Sequence, residues 1–229
     1  MNFYGGTNQG LVRPTNQDSY YISKEGCWAV VADGMGGHNG GETASSMAVE
    51  IIRKGMENGE EMKKAIEDAN TAIFEKSLSE PKLEGMGTTV VLCRIDGEKT
   101  ASFSHVGDSR AYVFSDGVLK QITTDHSIVQ QLIESGTITK EQAKYHPQRN
   151  LITRAVGTEK GVNIDFNRVN LTPGDIILIC SDGLCAYVDE KEIADIICTS
   201  NGDETVDKLI EAANKSGGKD NVTVVLIKA

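Results

Sequence analysis

A chain of 229 residues with 39% hydrophobic and 24% charged side chains and only 4 prolines can bury a core of its own, which excludes a disordered or collagen-like chain. Its 33 acidic and 23 basic residues leave a formal net charge of −10, which disfavours nucleic acid and anionic membranes as partners. No run reaches ~18 apolar residues, and Met1-Asn2-Phe3-Tyr4-Gly5-Gly6 lacks the basic-then-apolar order of a signal peptide, so a cytoplasmic location is expected.

Trp28 to Ala32, a short apolar run between Gly26 and Gly34, predicts a buried strand. Ala44, Ala48, Ile51 and Ile52 share a helical face, as do Met62, Ala65, Ile66, Ala69 and Ile73, so two amphipathic helices follow in succession. Thr88 to Ile95 is a β-branched run after Gly85-Met86-Gly87 and predicts another strand. Asp116-Gly117 stands between Tyr112-Val113-Phe114 and Val118 to Ile122, a strong hairpin signal that makes the sheet there antiparallel. The segment 125–158 is polar, helical around Ile128, Val129, Leu132 and Ile133, and stops at Gly136, which predicts an insertion or flap on the core. Asp189 with Glu192 resembles a capping box ahead of Ile193, Ile196 and Ile197. Val206, Leu209, Ile210 and Ala213 form a last helical stripe, and Val222 to Ile227 a last strand. Helices come in pairs instead of alternating one with each strand, which favours an antiparallel β core with helices outside over a parallel doubly wound sheet. Nothing in the composition marks a boundary, so residues 1–229 are expected to form a single domain.

Five cysteines, Cys27, Cys93, Cys180, Cys185 and Cys198, form no Cys-x-x-Cys pair, so neither a disulfide framework nor structural zinc is expected. The aspartates carry more chemistry. Asp33 ends the run Ala29 to Ala32 and Asp182 follows the run Ile176 to Ser181, each with a glycine after it. Asp108 and Asp220 also stand at predicted strand ends. A lone Asp-Gly is commonly a turn. Several carboxylates converging on one point repel each other unless a cation joins them, and oxygen-only donors suit Mg2+ or Mn2+. Two such ions can share a phosphoryl group and acidify a water, so phosphate ester hydrolysis leads, with Arg13 as a bidentate phosphate fork.

Arg13-Pro14-Thr15-Asn16-Gln17-Asp18, Val31-Ala32-Asp33-Gly34-Met35-Gly36-Gly37-His38, Gly85-Met86-Gly87-Thr88-Thr89, His105-Val106-Gly107-Asp108-Ser109-Arg110, Cys180-Ser181-Asp182-Gly183-Leu184 and Lys219-Asp220-Asn221-Val222-Thr223 resemble the ordered motifs of the PPM family. These are the metal-dependent, type 2C serine/threonine protein phosphatases, and the likeness runs from Gly5 to Ile227, closest to the bacterial branch. The resemblance implies an α+β fold, a four-layer αββα sandwich of two antiparallel β-sheets flanked by helix pairs, with the site at one end. It implies that Asp33 bridges two Mn2+ or Mg2+ ions, that the Gly34 carbonyl ligates one, and that Asp182 and Asp220 complete the other. Asp18 acts through water, a bridging water attacks phosphorus directly, Arg13 holds the substrate phosphate, and Asp108 with Asp182 offers a weak third site. Phosphorylated serine or threonine proteins are the implied substrates of a monomeric enzyme, with a bacterial serine/threonine kinase as antagonist.

Two positions depart from the family pattern. Met35 stands where animal relatives place a histidine proposed as general acid, which leaves His38 as the nearest histidine in sequence. Ala186 stands where many relatives carry Asp or Asn, which weakens the third ion site. No Gly-x-Ser-x-Gly elbow supports a serine hydrolase, and no Gly-Lys-Ser/Thr supports a nucleotide loop. The competing reading is a noncatalytic binding module of the same fold, against which the retained Arg13, Asp18, Asp33, Asp182 and Asp220 speak.

Overall fold

The computed structural model describes residues 1–36, 40–97 and 99–229. Two antiparallel sheets lie face to face. One runs in the order β1 (Asn2–Asn8), β11 (Val222–Lys228), β10 (Ile176–Cys180), β7 (Arg110–Ser115), β8 (Val118–Gln121). The other runs β2 (Asp18–Ile22), β3 (Trp28–Met35), β5 (Val90–Ile95), β6 (Thr100–Val106), β9 (Asp165–Asn170), with β4 (Gly87–Thr88) paired to the end of β3.

Alternation of side chains along the strands builds the layers, because successive residues point to opposite sheet faces. In β3, Ala29 and Val31 enter the space between the sheets, while Val30 and Ala32 pack under α1 (Gly40–Glu57) and α2 (Met62–Ser79). In β10, Ile177 and Ile179 point between the sheets, while Leu178 and Cys180 pack under α5 (Asp182–Cys185), α6 (Glu190–Thr199) and α7 (Asp203–Lys215). The helical stripes read from the sequence are the buried faces: Ala44, Ala48 and Ile52 in α1, Ala65, Ile66, Ala69 and Ile73 in α2 are fully enclosed. This is the expected four-layer αββα sandwich.

The 116–117 hairpin is also as expected. Asp116 at φ 50° and Gly117 at φ 81° both take left-handed backbone, which matches the twist of β7 and β8. Three local expectations differ. The strand expected over 88–95 is interrupted at Thr89, whose N–H donates to the Asp33 carbonyl (2.8 Å) instead of continuing a ladder. β3 runs past Ala32 to Met35 because β4 pairs with Gly34 and Met35. The 189–192 capping box does not form, since the Asp189 carboxylate is taken by Lys144 (2.5 Å). A true capping box stands at Thr139 and Gln142, heading α4 (Lys140–Ala143), which with α3 (Ile128–Glu134) makes up the helical part of the 125–158 segment.

Candidate active site

Opposed registers bring the aspartates together at one end of the sandwich. Asp18 opens β2 and Asp33 nears the end of β3, and the antiparallel pairing sets them directly opposite each other. Asp182 begins α5 right after β10, and Asp220 precedes β11, the neighbour of β10.

Two glycines make the approach possible. A Cβ on Gly34 would lie 2.1 Å from the Gly41 carbonyl oxygen and 2.6 Å from that of Gln17. A Cβ on Gly183 would lie 1.8 Å from the Asn221 carbonyl oxygen. Neither glycine has positive φ, so these Asp-Gly pairs, unlike Asp116-Gly117, are places where two backbones touch and not turns. Gly183 against Asn221 is what sets Asp182 beside Asp220.

Hydroxyls then fix the carboxylates. Oδ2 of the buried Asp18 accepts from Ser181 Oγ (2.7 Å) and Thr223 Oγ1 (2.8 Å), while its Oδ1 is buried with no hydrogen-bond partner. The Asp33 N–H donates to Thr89 Oγ1 (3.0 Å), and Thr88 Oγ1 donates back to the Asp33 carbonyl (2.9 Å). Thr89 Oγ1 in turn meets Ser109 Oγ (2.7 Å), next to Asp108. Sequence reasoning assigned no role to Ser181, Thr223, Thr89 or Ser109, although each lies inside a quoted motif. The Asp33 and Asp182 carboxyl groups stand close enough for each to shift the titration of the other.

The electrostatics follow from this crowding. Burial, then the charges of Asp18, Asp182, Asp108 and Asp220, raise the Asp33 carboxyl well above the ordinary range. Burial raises Asp18 to about 7 against the pull of the Ser181 and Thr223 hydroxyls. Burial and then Asp220 raise Asp182 to about 6, and burial with Asp182 and Asp125 raises Asp108 to about 8. An orphaned buried carboxylate oxygen within a set of mutually repelling oxygen donors is the environment a hard divalent cation fits. Arg13 stands at the mouth, half exposed, with Nη2 on Asp220 Oδ2 (2.7 Å). Ala186 caps α5, its N–H on the Asp182 carbonyl (2.8 Å), one helical turn on and without a side-chain oxygen. His38 lies outside the described residues.

The 125–158 segment docks beside Asp108. His126 accepts the Gly107 N–H on Nδ1 (3.0 Å) and donates its own N–H to the Gly107 carbonyl (2.9 Å). His126 stacks on His105 (ring centroids 4.8 Å apart) near Asp165. That second cluster already holds a cation, since Arg154 Nη1 donates to Asp165 Oδ1 (2.5 Å). A cavity of about 340 Å³ separates the segment from Met35 and is lined by Ile152, Arg154, Thr158 and Val162. Among the described residues no helix is long and apolar enough to cross a membrane.

A family profile described as Protein phosphatase 2C matches residues 11–222. The serine/threonine phosphatase stp of Listeria monocytogenes is 38% identical over 236 residues, covering 97% of this chain and 93% of that protein. The crystal structure of the PPM Ser-Thr phosphatase MsPP from Mycobacterium smegmatis in complex with cacodylate superposes with a TM-score of 0.91 at 36% identity, covering 100% of this chain and 98% of that one. The catalytic domain of the serine/threonine protein phosphatase PstP, in complex with 2 manganese ions, gives a TM-score of 0.89 at 36% identity, covering 98% of this chain and 96% of that one.

Proposed function

The chain belongs to the protein phosphatase 2C family and is a serine/threonine protein phosphatase, and from that premise we propose how its own residues divide the work. Asp33, Asp182, Asp220 and the Gly34 carbonyl hold two divalent ions, Mn2+ or Mg2+, with Asp18 supporting the site from its buried position on β2. When bound, such ions supply Lewis acidity toward the phosphoryl oxygens and a water acidified enough to act as nucleophile near neutral pH. The observation that carries this reading is the convergence of the four aspartates with Asp18 Oδ1 buried and unpartnered.

The supporting residues have separable duties. Ser181 and Thr223 keep Asp18 in one rotamer by donating to the same oxygen. Thr88 and Thr89 bracket the Asp33 backbone, which fixes the point from which its carboxyl projects into the cluster. Arg13, a planar fork at the rim, binds the substrate phosphate bidentately and orients it over the carboxylates. Asp108 and Asp182 offer a weak third ion two carboxylates, and Ala186 adds no oxygen. The 125–158 segment acts as the flap over the site, and Met35 leaves the position after Asp33-Gly34 without a titrating proton donor.

The substrates are phosphorylated serine and threonine side chains of proteins, and the antagonist is a serine/threonine kinase. We assign the enzyme to the cytoplasm as a monomer, with no nucleic-acid or membrane partner, on its acidic charge and on motifs contained within one chain. Hydrolysis of a phosphoserine and a phosphothreonine peptide, with Mn2+ or Mg2+ and again in excess chelator, tests the reading. Turnover should require the divalent ion; equal rates in chelator would sink the two-ion site.

A further inference from the structure

The loop that carries Arg13, residues 9–17, contains neither helix nor strand, yet it must hold a guanidinium in place at the mouth of the site. Three of the hydrogen bonds that restrain it come from one side chain, 204 residues beyond Gln17 in the chain. Asn221, 5% exposed, accepts the Gln17 N–H on Oδ1 (2.8 Å) and donates Nδ2 to the carbonyls of Gln9 (2.9 Å) and Thr15 (2.9 Å). Within the loop, Gln9 Nε2 donates to the Arg13 carbonyl (2.7 Å), so the Asn221 tether at Gln9 passes on to Arg13 itself. The N–H groups of Leu11 and Val12 reach the Gly218 carbonyl at 2.7 and 3.2 Å. The backbone N–H of Asn221 donates to Asp220 Oδ1 (3.0 Å), while Arg13 holds Asp220 Oδ2.

We propose that Asn221 is a positioning residue for phosphate recognition: its carboxamide closes loop 9–17 so that Arg13 stands against the carboxylate cluster before substrate arrives. The proposal rests on the reading of Arg13 as the phosphate fork. Residue type supports it. Only a carboxamide of this length offers two donors to two carbonyls and an acceptor to an N–H at once. An aspartate would turn a charged acceptor toward two carbonyls, and a serine keeps a single donor. Gln9 and Thr15 are exposed, so water can replace the lost bonds in a variant. The cost then falls on the order of the loop, and binding must supply that order each time phosphate is gripped.

The test is a double-substitution cycle at saturating Mn2+, reading kcat and KM for a small aryl phosphate and inhibition by inorganic phosphate. Asn221→Ala should raise KM and the phosphate inhibition constant together by about ten-fold while kcat changes less than about three-fold, with Asn221→Ser in between. In an Arg13→Ala background the same substitution should move either constant by less than about two-fold, because the residue acts through Arg13. Equal fold-changes in both backgrounds would show a general structural role and overturn the proposal, as would unchanged constants in Asn221→Ser and Asn221→Ala. If Asn221→Ala does not fold, Asn221→Ser carries the same cycle. An unchanged KM in Arg13→Ala alone retires the phosphate-fork reading, and this role for Asn221 with it.

Discussion

The middle and the end of the same strands obey opposite rules. In the middle, Val31, Ile179 and Val225 meet between the sheets with no polar group to satisfy, and their burial is favourable by itself. Two residues beyond Val31 comes Asp33, three beyond Ile179 comes Asp182, and five before Val225 stands Asp220. There the sandwich spends its rigidity on holding like charges together, which costs stability. On the proposed assignment of the site, the fold is made in one zone and the chemistry in another, on shared backbone, and each zone can be disturbed with the other as control.

The largest separation should come from Asp33→Asn or Asp182→Ala. Phosphatase activity should fall by several orders of magnitude, each tenfold being about 1.4 kcal/mol of lost transition-state stabilisation. In excess chelator the thermal midpoint of the same variants should stay level or rise, because a buried repelling carboxyl has been removed. A drop of many degrees in chelator would erase the distinction between the zones.

The reciprocal change is Phe103→Ala, a fully buried ring of the inter-sheet core. It should cost about 3–5 kcal/mol of unfolding free energy, read by denaturant titration, with kcat kept in the folded fraction. Loss of kcat at full helicity would mean that core and site are not separable.

A third effect belongs to pH. Asp18, Asp182 and Asp108 are raised to about 7, 6 and 8, so the folded chain binds protons more tightly than the unfolded one. Their contribution to stability is complete below the ordinary carboxyl range and is lost as pH rises through about 6 to 8. Without divalent ions the thermal midpoint should therefore fall between pH 5 and pH 8.5, and Mn2+ should restore most at the upper end. A midpoint that rises over this window in chelator would contradict the crowded-carboxylate account.

The smallest effect is expected from Ala186→Asp. It adds one oxygen donor a helical turn beyond Asp182 and should move any late rise in activity of a metal titration to several-fold lower concentration. The first, tighter phase should not shift.

The two zones also differed in how far they could be read beforehand. The middle was legible because periodicity is local: the helical stripes of α1 and α2, the apolar runs of β3 and β10, and the Asp116-Gly117 turn each carry their explanation within a few residues. At the end, the aspartates could be located but not their supports. Nothing near Gly34 shows that Gln17 and Gly41 press on it, nor near Gly183 that Asn221 does. Ser181 and Thr223 look like ordinary strand-end hydroxyls until Asp18 is placed between them. The expected cap at Asp189 failed for the same reason, its partner Lys144 being 45 residues away.

Those long spans have a consequence for how the molecule is made. Arg13 and Asp220 are 207 residues apart, Asp18 and Thr223 are 205, Asp18 and Ser181 are 163. Closing such loops is slow relative to forming a hairpin or a helix. Two of these contacts use Asp220 and Thr223, just before and at the start of the last strand, β11, which lies between β1 and β10. During refolding, helical signal should recover first and turnover last, so catalysis is the completion marker of folding. During synthesis Asp18 is made 163 residues before Ser181 and 205 before Thr223, so a chain stopped ahead of β11 should hydrolyse no phosphopeptide.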